Sequence, residues 1–106
     1  MKEVELNHNT FDAFIKDSQV PVLIDFYAKW CGPCSRMKPL LAKFADNHVD
    51  EIRVGMVDID AETELASRYE VRSIPTQIVF KDDHLFAKSV GVKNEKQLLH
   101  LINEGK

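Results

Sequence analysis

Two hydrophobic periods alternate along the chain. Glu3 to Leu6 alternates weakly and predicts a short first strand, after which Asn9 and Thr10 offer caps for a short amphipathic helix carrying Phe11, Phe14 and Ile15. From Val20 to Tyr27 both alternating faces are apolar, the pattern of a central strand covered by helices on both sides, with Pro21 tolerated near its start. One residue, Asp25, breaks that run. Met37, Leu40, Leu41, Phe44 and Ala45 then recur at helical intervals and mark one face of a helix from about Pro33 to His48, which Pro39 should kink.

The second half repeats the alternation. Arg53 to Ile59 is β-branched and alternating, and Glu64 to Tyr69 reads as a helix through Leu65, Ala66 and Tyr69. Thr76 to Phe80 and Leu85 to Val90 are strands joined by Lys81-Asp82-Asp83-His84, short enough for an antiparallel hairpin, and Gly91 ends the second of them. Asn94 and Gln97 form a capping-box pattern ahead of a last helix through Leu98, Leu101 and Ile102. The order β-α-β-α-β-α-β-β-α predicts an α/β fold, one mixed sheet with helices on both faces, in a single domain over residues 1–106 without linker or repeat.

Composition narrows what such a domain does. With 106 residues, 44% of them hydrophobic, the chain builds one core and is not expected to be disordered. A net charge of −3, with no five-residue block of one sign, argues against a nucleic-acid-coating surface. Charged residues break up the first twenty positions, and Val20 to Ile24 is too short to span a bilayer, so a soluble, cytoplasmic protein with no membrane contact is expected, and the composition gives no reason to expect more than a monomer. The four glycines form no phosphate cradle, so no bound nucleotide is expected. Asp58, Asp60, Glu62 and Glu64 alternate as in a calcium loop, but Thr63 and Tyr69 stand where that loop needs Gly and Glu; a solvated helix start is the better reading.

The chemistry concentrates in Trp30-Cys31-Gly32-Pro33-Cys34, between the central strand and the long helix. With Pro33 in the first helical turn, Cys31 sits at the amino end, where free N–H groups and the helix dipole favour a negative sulfur. Cys34 follows on nearly the same face, so a reversible bridge is sterically easy. Lowering a thiol pKa from about 8.5 to about 7 raises its thiolate fraction at pH 7 roughly sixteenfold and costs roughly fivefold in nucleophilicity. The larger gain is a better leaving group, which points to exchange in both directions. A metal set fails on counting: His48 falls at a plausible distance after Cys34, but Ile52, Arg53 and Val54 hold the positions where a fourth ligand belongs, and His8, His84 and His100 are scattered. A permanent structural disulfide is disfavoured because so small a loop constrains the unfolded chain little and a cytosolic milieu reduces it.

Over essentially its whole length the chain resembles the thioredoxins, through Asp25-Phe26-Tyr27-Ala28-Lys29-Trp30-Cys31-Gly32-Pro33-Cys34, then Pro39, Ile74-Pro75-Thr76 and Val90-Gly91. The resemblance implies Cys31 as the exposed attacking thiolate and Cys34 as the buried resolving thiol, in a protein that reduces client disulfides and is re-reduced by a thioredoxin-reductase-like partner. It implies no bound cofactor, with NADPH belonging to that partner. Burial raises a carboxylate's pKa, so Asp25 is read as proton acceptor for the second thiol, directly or through one water; the bland alternative is a carboxylate at a strand end or paired with a cation. A lone X-Pro bond is ordinarily trans, but the resemblance implies a cis Pro75 beside the cysteines, with the Ile74 backbone pairing with a client strand. Trp30, Pro33, Ile59, Ile74 and Gly91 would then form an apolar docking surface around the sulfur, although each also suits ordinary packing.

Four departures from the family pattern stand out. Tyr27 replaces a second Trp, Ser35 a common lysine, and Asp82-Asp83-His84 an Asn-Gly turn. Met56 stands where many thioredoxins have a lysine near the buried aspartate, which removes a cation that favours ionised Asp25. Two other functions stay open on sequence. One is an oxidase or isomerase of the same fold, against which Gly32-Pro33 argues because no histidine lies between the cysteines. The other is a partner-binding module whose sulfurs are incidental.

Overall fold

Strand and helix alternate in the expected order through the computed structural model, which describes residues 3–106. The elements are β1 (Val4–Glu5), α1 (Phe11–Lys16), β2 (Val22–Tyr27), α2 (Gly32–Asn47), β3 (Arg53–Asp58), α3 (Thr63–Arg68), β4 (Thr76–Lys81), β5 (His84–Val90) and α4 (Glu95–Glu104). Met1 and Lys2 of the expected domain lie outside the described residues. The five strands form one sheet in the order β1-β3-β2-β4-β5. β3 runs parallel to both β1 and β2, joined through helical crossovers, whereas β4 is antiparallel to β2 and to β5.

Being central, β2 must be apolar on both faces, and its alternation sorts the core into two layers. Leu23 packs with Val54 and Val79 under Met37, Leu41 and Phe44 of α2 and Leu98 and Leu101 of α4. Val22, Ile24 and Phe26 pack on the other side with Phe11, Phe14 and Leu65. There Phe11, Tyr69 and Phe80 interlock at tilted or edge-on angles, with centroids 5.5 to 6.2 Å apart. Two-residue periodicity therefore puts Asp25 on the α2 side with Leu23. In register it pairs with Met56 of β3 and with Gln77 of β4, which itself pairs with Ser89.

The structure corrects three local expectations. The first strand is only two residues long. The side chain of Asn7, not of Asn9 or Thr10, satisfies the backbone ahead of α1, accepting the N–H of Asn9 at 2.8 Å and of Thr10 at 3.1 Å. An Asx turn does the work expected of a cap, because Thr10 Oγ1 is occupied by the Asn7 N–H at 3.0 Å. The hairpin is tighter than the four-residue connection expected: Lys81 and His84 still pair, leaving Asp82 and Asp83 at φ 52° and 66°. Both lie in the left-handed region that a type I′ turn requires, which Asp tolerates better than most residues. α2 continues as one helix through Pro39, and the Asn94/Gln97 capping box is present at 2.8 and 2.9 Å.

Gly55 of β3 marks the tightest point of the core. A Cβ there would stand 2.5 Å from Leu6 Cδ1, 3.0 Å from Ile24 Cδ1 and 3.1 Å from Phe14 Cε2. The Leu6 side chain can give way, but three neighbours cannot all do so at once. Gly55→Ala is expected to destabilise the protein by about 1–3 kcal/mol through overpacking, read as a lower denaturation midpoint in urea at unchanged slope.

Candidate active site

β2 ends at Tyr27, and Ala28-Lys29-Trp30 carry the chain to the start of α2. Cys31 is the N-cap residue, extended at φ −86° and ψ 115°, and its Sγ accepts the backbone N–H of Cys34 at 3.2 Å. Pro33 occupies the first turn, where its missing N–H costs no helical bond. The two cysteines are joined as a disulfide with α-carbons 5.2 Å apart. When the bond opens, the same N–H and the helix amino terminus remain to stabilise charge on the Cys31 sulfur.

The exposure expected of Cys31 is not met in this oxidised form, since Cys31 and Cys34 are each 5% exposed. The pair is packed with Ala28, Tyr27, Ile59 and Ile74, and Cys31 Sγ lies 4.0 Å from the Ile74 carbonyl oxygen. The sulfurs differ instead in what they face. Cys34, without Cys31, lines a cavity of about 140 Å³ together with Asp25, Met56, Tyr27, Lys29 and Lys38. That volume accommodates a few waters at ~30 Å³ each, and the carboxyl and lysine groups offer them polar partners.

Asp25 is 1% exposed, and its carboxyl is pushed up to about 7, chiefly by burial. A hydrogen bond from Gln77 and the positive charge of Lys93 pull the other way. Gln77 Nε2 donates to Asp25 Oδ1 at 3.3 Å and to the Gly91 carbonyl at 3.0 Å. Lys93 Nζ donates to the carbonyls of Val90 and Gly91 at 2.9 and 3.2 Å; burial lowers its pKa while Asp25 raises it. Met56 does leave Asp25 without a cation at the paired β3 position, and the positive charge comes instead from Lys93, in the segment between β5 and α4. Neither Gln77 nor Lys93 is singled out by the sequence pattern: Gln77 follows Thr76 at the polar start of β4, whereas Asp25 has apolar neighbours on both sides.

The remaining predicted residues ring the disulfide. Trp30 is 70% exposed, and its indole N–H donates to Asp60 Oδ2 at 2.7 Å. Asp58 Oδ1 in turn accepts the Asp60 N–H at 2.9 Å, so this acidic pair braces the tryptophan. Asp60 is a site residue that sequence reasoning missed. Gly32 and Pro33 are exposed, Ile59, Ile74 and Gly91 half-buried, and Pro75 buried. The Ile74–Pro75 peptide is cis, as the resemblance implies, and the Pro75 carbonyl accepts the Gly91 N–H at 2.8 Å. Ile74, Pro75 and Gly91 thus form one lip beside Cys31. Tyr27 donates to Glu5 Oε1 at 2.8 Å, and burial followed by that acidic partner raises its pKa well above the usual phenol range. His48, weighed above as a metal ligand, bridges Glu51 and Glu95 at 3.0 and 3.1 Å and ties the end of α2 to α4.

Two sulfurs held across one helical turn exchange an electron pair simply by making or breaking their mutual bond. That chemistry, set at the end of a central strand of this sheet, makes the protein a thiol–disulfide oxidoreductase. A family model described as Thioredoxin matches residues 2–104. The chain is 40% identical over 99 residues to Thioredoxin of Chlamydia pneumoniae, covering 93% of this chain and 94% of that one. It is 38% identical over 93 residues to Thioredoxin of Acidithiobacillus ferridurans, covering 88% and 86%. With the chloroplastic Thioredoxin Y2 of Arabidopsis thaliana it shares 39% identity over 94 residues, which is 89% of this chain and 56% of the plant protein. The chain belongs to the thioredoxin family. It reduces disulfides of client proteins through the reversible Cys31–Cys34 pair and is re-reduced by a partner reductase. No helix among the described residues is long and apolar enough to cross a membrane.

Proposed function

We propose that the two sulfurs divide the reaction according to what each one faces. Cys31, capped by the helix amino end and lying against Ile74, attacks as a thiolate; one client sulfur leaves with the electron pair of the broken bond, and a mixed disulfide forms at Cys31. Cys34 then passes its proton to Asp25 and attacks Cys31 Sγ. The bond between Cys31 and the client breaks, the second client sulfur leaves as a thiolate that takes up a proton, and the Cys31–Cys34 disulfide remains. The client has gained two electrons and the protein has lost two. The observation that carries this order is the cavity shared by Asp25 and Cys34 but not by Cys31.

In this reading an extended client segment lies along the lip formed by Ile74, Pro75 and Gly91, pairs with the Ile74 backbone and covers the apolar surface of Trp30, Pro33 and Ile59. The chain binds no cofactor of its own. Its two electrons come from a partner reductase that carries the NADPH. Residues 1–106 act as one monomeric domain in the cytoplasm. Alkylation of the reduced protein at graded pH, read by peptide mass, tests the division of roles. Cys31 is expected to react several-fold faster than Cys34 at pH 7; equal rates, or faster labelling of Cys34, would overturn it.

A further inference from the structure

Gln77 is fully buried as the second residue of β4, ahead of the apolar run Ile78-Val79-Phe80, with its side chain on the face that carries Asp25. A buried amide normally satisfies its oxygen as well as its nitrogen. Here Nε2 has two acceptors while Oε1 has no hydrogen-bond partner. The Gly91 carbonyl explains the choice. Turning the amide over would set Oε1 against another oxygen, so Gly91 locks the NH₂ group toward Asp25. Gln77 can therefore donate to the carboxyl but cannot accept a proton from it.

We propose that Gln77 is a positioning residue for the resolving step: its locked amide ties Asp25 Oδ1 to the Gly91 carbonyl and leaves Oδ2 as the oxygen that exchanges a proton with Cys34. The proposal rests on Asp25 being the base. A neutral donor that never accepts favours the carboxylate over the acid, so Gln77 keeps Asp25 able to ionise despite its burial. The other groups around Asp25 do not do this in the same way. β3 presents the uncharged Met56, with Asp58 further along toward Tyr27; α2 presents Cys34 and Lys38, Lys29 precedes it at the cavity, and Lys93 reaches in from the segment before α4. Lys93 shares the Gly91 carbonyl with Gln77, so the amide that donates to Asp25 is anchored on the client lip.

Gln77→Met conserves shape, removes the donor and also removes the unpartnered oxygen, so the fold is expected to survive. Two measurements are made: the Asp25 carboxyl titration by ¹³C NMR, and the pH profile of the Cys34-dependent release of a model peptide held as a mixed disulfide at Cys31. Both midpoints should rise by about one pH unit, slowing release about tenfold on the acid side. Lys93→Met, which removes a charge but not the locked amide, should raise both by less. An unmoved carboxyl titration in Gln77→Met overturns the proposal, and Asp25→Asn still flattening the profile would then leave the base assignment standing. A carboxyl that moves without the release profile following would overturn the base assignment itself, and the proposal with it.

Discussion

Asp25→Asn is expected to stabilise the oxidised protein by about 4 kcal/mol at pH 8 and by almost nothing at pH 4. The carboxyl moves from 3.8 to about 7 on folding because it is nine-tenths or more buried, and each unit is worth about 1.4 kcal/mol. The native state holds the proton more tightly than the unfolded chain, so stability falls as pH rises through the window between those two values and is level above it. Asparagine keeps the shape and carries no charge, so the variant escapes that loss. Urea denaturation of both proteins at pH 4, 6 and 8 measures it: the gap should open across the window, and parallel stabilities throughout would mean that burial does not disfavour this charge. The same substitution should slow resolution by Cys34, because the acceptor for its proton is gone. A group that weakens the fold and speeds the reaction is the signature of a functional carboxylate in a core.

Asp25 was legible in the sequence for that very reason: a charge in a strand whose alternation is apolar on both faces has no solvated side to turn to. The order of elements was legible too, because the change of period from two to about three and a half residues marks each boundary within a residue or two. What periodicity does not encode is which strand lies beside which. Gln77 meets Asp25 across 52 positions only because β4 is inserted antiparallel beside β2. Lys93 and Asp60 reach the site from loops, where no period exists to read. The exposure expected of Cys31 belongs to a free thiolate, whereas in the disulfide form both cysteines are 5% exposed and packed with Ile59 and Ile74. At the hairpin, two aspartates lack the Asn-Gly signature, so the tight turn emerged only from the pairing of Lys81 with His84.

The largest effects on activity are expected from the sulfurs, and their two serine variants should fail differently. Cys31→Ser removes the sulfur that lies 4.0 Å from the Ile74 carbonyl oxygen; a hydroxyl is not ionised at neutral pH, and Cys34 is left at the cavity it shares with Asp25. Insulin reduction should fall to the uncatalysed background, with no adduct by intact mass. Cys34→Ser should also stop turnover, but only after one client has been captured by each molecule. Attack within a pair whose α-carbons are 5.2 Å apart is intramolecular, and such geometry can match an effective thiol concentration of roughly 10⁵ M. Millimolar free thiol is a poor substitute, so the mixed disulfide should outlive its wild-type counterpart by several orders of magnitude. A stoichiometric adduct in Cys34→Ser and none in Cys31→Ser is the asymmetry that the cavity and the N-cap demand. Equal adducts in both would make the sulfurs interchangeable. Full biological activity in the double serine variant would instead point to a clamp that holds its partner by the apolar lip alone.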